Sequence, residues 1–283
     1  MSDDADDLEA GSEPVDSDAG PEPVDLDAGP DPADFAAADP EPDWRDGAAP
    51  AVRAVGIGPG ATGFLTPRGR EAIRSADVVV GFETVLDYVA DVATGETLAC
   101  GYRDEAATLA TFADRVAAGA TGAAVLMGDP NHSGYQFVGK VQRAVADALE
   151  GDDERAPVQV VPGISSLQVA ASRARTPMEA TTFVTLHKSG PLDDDLARLR
   201  TDAGGRHLLV LPRPYDWMPG DVAAHLIEAG ADPDATALVL ERLTHDDEAV
   251  TRLSLGALAT EAGGGDPEDS RFSDLSVLAV RRF

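Results

Sequence analysis

Short apolar runs separated by amphipathic stretches begin at Val52 and set the rhythm of the chain. Runs at 52–57, 77–81, 97–99, 123–127 and 158–161 read as strands, and segments at 66–75, 83–91, 104–118 and 134–149 read as helices. In the third of these helices Ala106, Leu109, Ala110, Phe112, Ala113 and Val116 fall on one face. Near-continuous apolar strands alternating with helices predict a mostly parallel sheet covered on both faces. After Pro162 the rhythm changes. Helix 164–174, strand 182–186, helix 192–201, strand 207–212, helix 220–229 and strand 236–241 lead to strands near 249–254 and 275–281. Short connections between several of these strands predict antiparallel pairing. The predicted class is therefore α/β, with a parallel-sheet N-terminal domain over 50–162 and an α+β mixed-sheet C-terminal domain over 163–283. The cleft between two such domains is where a ligand is expected. Residues 151–157 are expected as a surface connection, and 246–247 and 263–266 as turns.

Residues 1–49 lack any such period. Glu13-Pro-Val-Asp-Ser-Asp-Ala-Gly-Pro21 repeats as Glu22-Pro-Val-Asp-Leu-Asp-Ala-Gly-Pro30, and frequent proline with few apolar groups predicts a disordered acidic extension. The whole chain has 51 acidic against 22 basic residues, a formal charge of −29. The first 50 residues hold 17 of those acids and one base, so the remainder still carries 34 against 21, or −13. Lys140 and Lys188 are the two lysines. An acidic, lysine-poor protein suits concentrated salt, which screens self-repulsion, and the same charge argues against nucleic acid or anionic membrane as partners. Cys100 is alone, so no intrachain disulfide forms and no cysteine cluster holds a metal. No apolar run approaches a membrane span and the N-terminus lacks a signal-peptide pattern, so a cytoplasmic protein is expected.

Three glycine turns follow predicted strands. The first is Gly56-Ile-Gly-Pro-Gly60, leading through Gly63 to Leu65-Thr66-Pro67, where Thr66 suits an N-cap and Pro67 the first helical position. The others are Gly128-Asp-Pro130 and Pro162-Gly-Ile-Ser-Ser166. In a parallel sheet all three lie at the carboxyl edge, where ligands bind. Alternatives stay open here. Gly56-x-Gly58-x-x-Ala61 with Glu83 also satisfies a loose dinucleotide fingerprint. Asp129 suits a turn, and Ser165 and Ser166 suit helix caps.

With these three motifs in this order, residues 52–283 resemble the tetrapyrrole methylases, which use S-adenosylmethionine as methyl donor on a two-domain α/β fold with the active site between the domains. Val78-Val-Val-Gly-Phe82, Pro162-Gly-Ile-Ser-Ser-Leu-Gln168, Thr185-Leu-His-Lys188, Glu241-Arg-Leu-Thr-His-Asp-Asp-Glu248 and Phe272-Ser-Asp-Leu-Ser276 are similar to the branch that methylates C5 of cobalt-precorrin-7 in cobalamin synthesis. There are departures: Ala61 stands where an acid is common, Asn131-His132 replaces a more apolar pair, and Lys188 a frequent glycine. The resemblance implies a donor site at Pro59, Gly128, Asp129, His132, Ser165 and Ser166, with Leu211, Pro212 and Leu243 adding mainly backbone contacts. Gly58 and Gly60 would face the substrate. It also implies a homodimer. Some relatives fuse a second methylase that acts at C15 and decarboxylates a side chain; here that activity is expected from a separate protein.

Direct displacement at a sulfonium methyl needs alignment and exclusion of water more than acid–base help. A ring carbon acting as nucleophile must still lose a proton or shift its double bonds, and His187 is the candidate base. The polycarboxylate corrinoid calls for cations, and Arg103, Lys188 and Arg213 stand at predicted strand ends, with Arg173 as a further candidate. Surface salt partners are the competing account of each. Cobalt is expected to arrive inside the substrate, since the chain shows no clustered metal ligands. Two other functions fit the same motifs: methylation of another precorrin carbon or a diphthine-type target, and a non-catalytic tetrapyrrole carrier.

Overall fold

The computed structural model describes residues 51–101, 103–149, 158–188, 190–214, 216–263 and 270–282. The acidic extension, the 151–157 connection and most of the 263–266 turn lie outside the described residues.

Five parallel strands form the first sheet: β1 (Val52–Gly56), β2 (Val78–Phe82), β3 (Glu96–Cys100), β4 (Gly122–Leu126) and β5 (Val158–Val161), in the order β3-β2-β4-β1-β5. The connecting helices are α1 (Pro67–Arg74), α2 (Glu83–Asp87), α3 (Glu105–Ala117) and α4 (Tyr135–Ala148). Alternating strand residues divide between two cores. Val55, Val79, Val125 and Val161 pack with Ile73 of α1 and Val85 of α2. Ala54, Val78, Val80 and Ala124 pack with Phe112 of α3 and Val141 of α4. The helices after β1 and β4 thus cover opposite faces. Because β1 and β4 are neighbours, a crevice opens between their carboxyl ends, the switch point of a doubly wound sheet.

Local chemistry explains the element ends. Thr66 caps α1, its hydroxyl accepting from Gly69 N at 3.0 Å, with Pro67 at the first helical position. In α3 the buried residues are Leu109, Phe112, Ala113 and Val116, a narrower arc than expected; Ala106 and Ala110 stay exposed. α2 is shorter than the predicted 83–91. Between β4 and α4 a single π-helical turn, Pro130–Gly134, precedes a helix that starts at Tyr135.

The second sheet is mixed. Its strands are β6 (Thr181–Thr185), β7 (His207–Leu211), β8 (Thr236–Glu241), β9 (Ala249–Ser254) and β10 (Ser276–Val280), in the order β6-β7-β10-β8-β9. The expected antiparallel pairing holds for β7–β10, β10–β8 and β8–β9, whereas β6 and β7 pair in parallel. The physical reason is α6 (Asp193–Asp202), which carries the chain back across the sheet between them. One face packs on α6, α7 (Pro219–Glu228) and α8 (Leu255–Ala259), an unpredicted short helix. The other face packs on α5 (Ser166–Ala174), and Phe64 and Ile164 join the same apolar cluster. Those two residues belong to the first and third glycine turns, so this cluster ties the second sheet to the switch-point edge of the first.

Candidate active site

The three glycine turns meet. A Cβ built on Gly56 would stand 2.6 Å from Gly128 O and 2.7 Å from Gly163 N, and one built on Gly163 would stand 2.1 Å from Gly128 O. Only glycine permits backbones this close. Gly58 and Gly128 exchange hydrogen bonds, Gly128 N donating to Gly58 O at 2.8 Å and Gly58 N to Gly128 O at 3.2 Å. Both have left-handed backbone, with φ of 90° and 69°. Pro59 and Gly60 are buried beside them.

Asp129 is 7% exposed, and it staples the second turn to the third. Its Oδ2 accepts from Gly163 N at 3.0 Å and its Oδ1 from Asn131 N at 2.9 Å. Each oxygen keeps a second acceptor position, so the carboxylate can hold the turns together and still meet a ligand donor. Ser165 caps α5: its hydroxyl accepts from Leu167 N at 3.1 Å, and Gln168 Oε1 accepts from Ser165 N at 2.8 Å. That reciprocal cap absorbs the Ser165 side chain. Ser166 follows as the first residue of α5, partly exposed. His132 lies in the π-helical turn with its N–H donating to Asp129 O at 3.0 Å. Its buried Nδ1 has no hydrogen-bond partner.

From the second domain, Leu211 at the end of β7 and Leu243 just after β8 belong to the cluster that contains Phe64 and Ile164, and Pro212, which follows Leu211, is buried. Thr185, at the carboxyl end of β6, shares the sheet face of Phe183, which packs on that cluster. Its Oγ1 is also buried and unpartnered. An unpaired buried polar atom costs about 1–3 kcal/mol, so ligand groups that satisfied His132 Nδ1 and Thr185 Oγ1 would bind with advantage. A cradle of closely approached backbone, with few projecting side chains, suits a ligand gripped through N–H and C=O groups.

The four candidate cations are differently placed. Lys188 Nζ pairs with Asp195 Oδ2 at 2.7 Å. Arg213 grips Asp216 through two bonds of 2.8 and 2.6 Å and donates to the carbonyls of Lys188 and Gly190. These two therefore sit together at the ends of β6 and β7, each charge already matched. Arg173, on α5, pairs with Glu248 at 2.7 Å. Arg103 is exposed just beyond β3. Because β3 is three places from β1, spacing of about 4.8 Å per strand puts it roughly 14 Å from the first turn. His187 is exposed two residues beyond β6, where desolvation lowers its pKa and the Asp274 charge opposes that shift.

Sequence reasoning assigned no role to Tyr88, Thr185, Thr244 or His245, all of which border this region. Glu241-Arg-Leu-Thr-His-Asp-Asp-Glu248 was visible as a motif, but nothing local says which side chain crosses to the other sheet. Among the described residues no group of three or more His, Cys, Asp or Glu is placed to hold a metal ion, and no helix is long and apolar enough to cross a membrane.

The model of the tetrapyrrole (corrin/porphyrin) methylase family matches residues 51–259. A probable cobalt-precorrin-7 C(5)-methyltransferase of Methanocaldococcus jannaschii is 27% identical over 206 residues, covering 72% of this chain and 90% of that protein. Among solved structures, a cobalt precorrin-4 methyltransferase of cobalamin biosynthesis superposes with a TM-score of 0.63 at 18% identity, covering 82% of this chain and 95% of the other. The uroporphyrin-III C-methyltransferase of Thermus thermophilus, complexed with S-adenosyl homocysteine, superposes with a TM-score of 0.59 at 22% identity, covering 81% and 91%. These structural likenesses bear on the fold.

Proposed function

The chain belongs to the tetrapyrrole (corrin/porphyrin) methylases, and from that premise we propose that it methylates C5 of cobalt-precorrin-7 in cobalamin synthesis. Methyl transfer from S-adenosylmethionine is the chemistry of the family. The choice of macrocycle and carbon is supported by the Methanocaldococcus jannaschii relative, which the chain matches over 90% of that protein's length. The observation that carries the reading is the convergence of the three glycine turns at the switch point.

S-Adenosylmethionine would supply an electrophilic methyl to a ring carbon, the methyl–sulfur bond breaking as the new C–C bond forms and S-adenosyl homocysteine leaving. Pro59, Gly128, Asp129 and His132 would hold it from the first domain, and Ser165, Ser166, Leu211, Pro212 and Leu243 from the second. Gly58 and Gly60 would meet the macrocycle through their backbone, since Phe64 and His245 already fill the space a side chain would take there. The backbone cradle fixes orientation, and the apolar cluster around Phe64, Ile164, Leu211 and Leu243 keeps water from that side. With its pKa lowered, His187 is neutral near pH 7 and able to accept a proton from the ring carbon. Lys188 and Arg213 would take substrate carboxylates by exchanging them for Asp195 and Asp216. The proposal extends to a homodimer, the assembly implied by the family resemblance.

The test is transfer of a labelled methyl from S-adenosylmethionine to cobalt-precorrin-7 in molar salt, with the product analysed by NMR. A new C5 methyl is expected. Transfer to another carbon, or binding of the donor with no transfer to this substrate, would sink the C5 assignment. Failure of folded protein to bind donor would sink the donor site.

A further inference from the structure

The turn joining β8 to β9 reaches across to the first glycine turn. Residues 242–248 contain two non-glycine residues with left-handed backbone, Arg242 at φ 48° and Thr244 at φ 72°. Such conformations persist where the surroundings over-determine them, and here they do. Arg242 N donates to Leu275 O at 2.8 Å, His245 N to Arg242 O at 3.0 Å, and Glu248 N to His245 O at 3.1 Å. Glu248 Oε2 accepts from Thr244 N at 2.8 Å, while Arg173 of α5 holds the same carboxylate at 2.7 and 3.3 Å. Asp247 pairs with Arg242 at 2.6 Å.

Two side chains leave this pinned frame toward the other domain. Thr244 Oγ1 accepts the N–H of Ala61 at 3.1 Å, a bond spanning 183 residues of sequence. The imidazole of His245 lies against Gly60, where an added Cβ would stand 2.4 Å from Nε2. The same ring meets Tyr88 edge-on, with centroids 5.6 Å apart at 74°. Within its own domain the segment from Ala61 makes two internal backbone bonds, Phe64 N to Ala61 O and Leu65 N to Thr62 O, and Leu65 anchors its far end in the core around Val55 and Ile73. Glycines at 56, 58, 60 and 63 leave such a segment many conformations to lose.

We infer that Thr244 and His245 are positioning residues, clamping the first glycine turn from the opposite domain in the shape the donor site uses. The second clause rests on the donor site proposed above; the clamp itself does not.

Hydrogen exchange of ligand-free protein, followed by mass spectrometry over residues 57–65, reads the clamp directly. Thr244→Val, isosteric but without the acceptor, and His245→Ala should each speed exchange there by about tenfold, the equivalent of one hydrogen bond. Thr244→Ser, which keeps the hydroxyl, should restore protection. Calorimetry with S-adenosyl homocysteine should show the first two variants binding about tenfold more weakly and the third like wild type. Unchanged exchange over 57–65 in both Thr244→Val and His245→Ala would overturn the inference. So would faster exchange spread evenly over the chain, which marks general destabilisation. Local loss of protection in protein that binds no donor would keep the clamp and remove the donor reading.

Discussion

A single hydrogen-to-methyl change shows how tightly the site is built. Gly163→Ala would put its Cβ 2.1 Å from a backbone carbonyl that has no freedom to move, whereas at Gly63, in the same motif region as the first turn, nothing lies within 4 Å. Gly163→Ala should therefore lose about 2 kcal/mol or more of stability with overpacking of the junction, and Gly63→Ala little. Urea unfolding of the two variants checks this. The glycines were legible in the sequence because each follows an apolar strand. Their mutual contact was not, since Gly56, Gly128 and Gly163 are far apart along the chain. Asp129 carries the same lesson: the carboxylate suits a turn or a ligand, and only the folded chain shows it accepting from Gly163 N and Asn131 N.

At the scale of elements, β7 and the segment after β10 meet through His207, which is 7% exposed and whose Nδ1 accepts from Arg282 N at 3.1 Å. Desolvation lowers its pKa first, and the charges of Arg281 and Arg282 lower it further. The folded state thus holds the proton more weakly than the unfolded chain, whose imidazole titrates near 6.5. This contribution to stability is complete above about pH 6.5 and is lost as pH falls from there through the lower folded value. The urea midpoint should decline over that interval in wild type. His207→Asn, which retains an acceptor near the Nδ1 position but does not titrate, should make that part of the curve shallower, with His187, whose pKa is also lowered, supplying the remaining slope. Periodicity revealed the two strands; the neighbouring arginines act only because β7 and β10 pair antiparallel.

For the molecule as a whole, charge is the dominant sequence-level property. A formal charge of −29, with −13 still on residues 51–283, should make the midpoint of thermal unfolding climb as potassium chloride rises from about 0.1 M to molar levels, as screening removes self-repulsion. A midpoint that falls or stays level would refute that expectation. Composition, strand and helix periods, the parallel character of the first sheet and the three glycine turns could all be read from the chain, because each depends on residues close in sequence. Folding alone decided the rest. It set β6 parallel to β7 and brought Thr244 and His245 onto Ala61 and Gly60. Those outcomes depend on which distant surfaces come into contact, and a pairing across 183 residues leaves no local periodicity, turn signal or spacing by which it could be read.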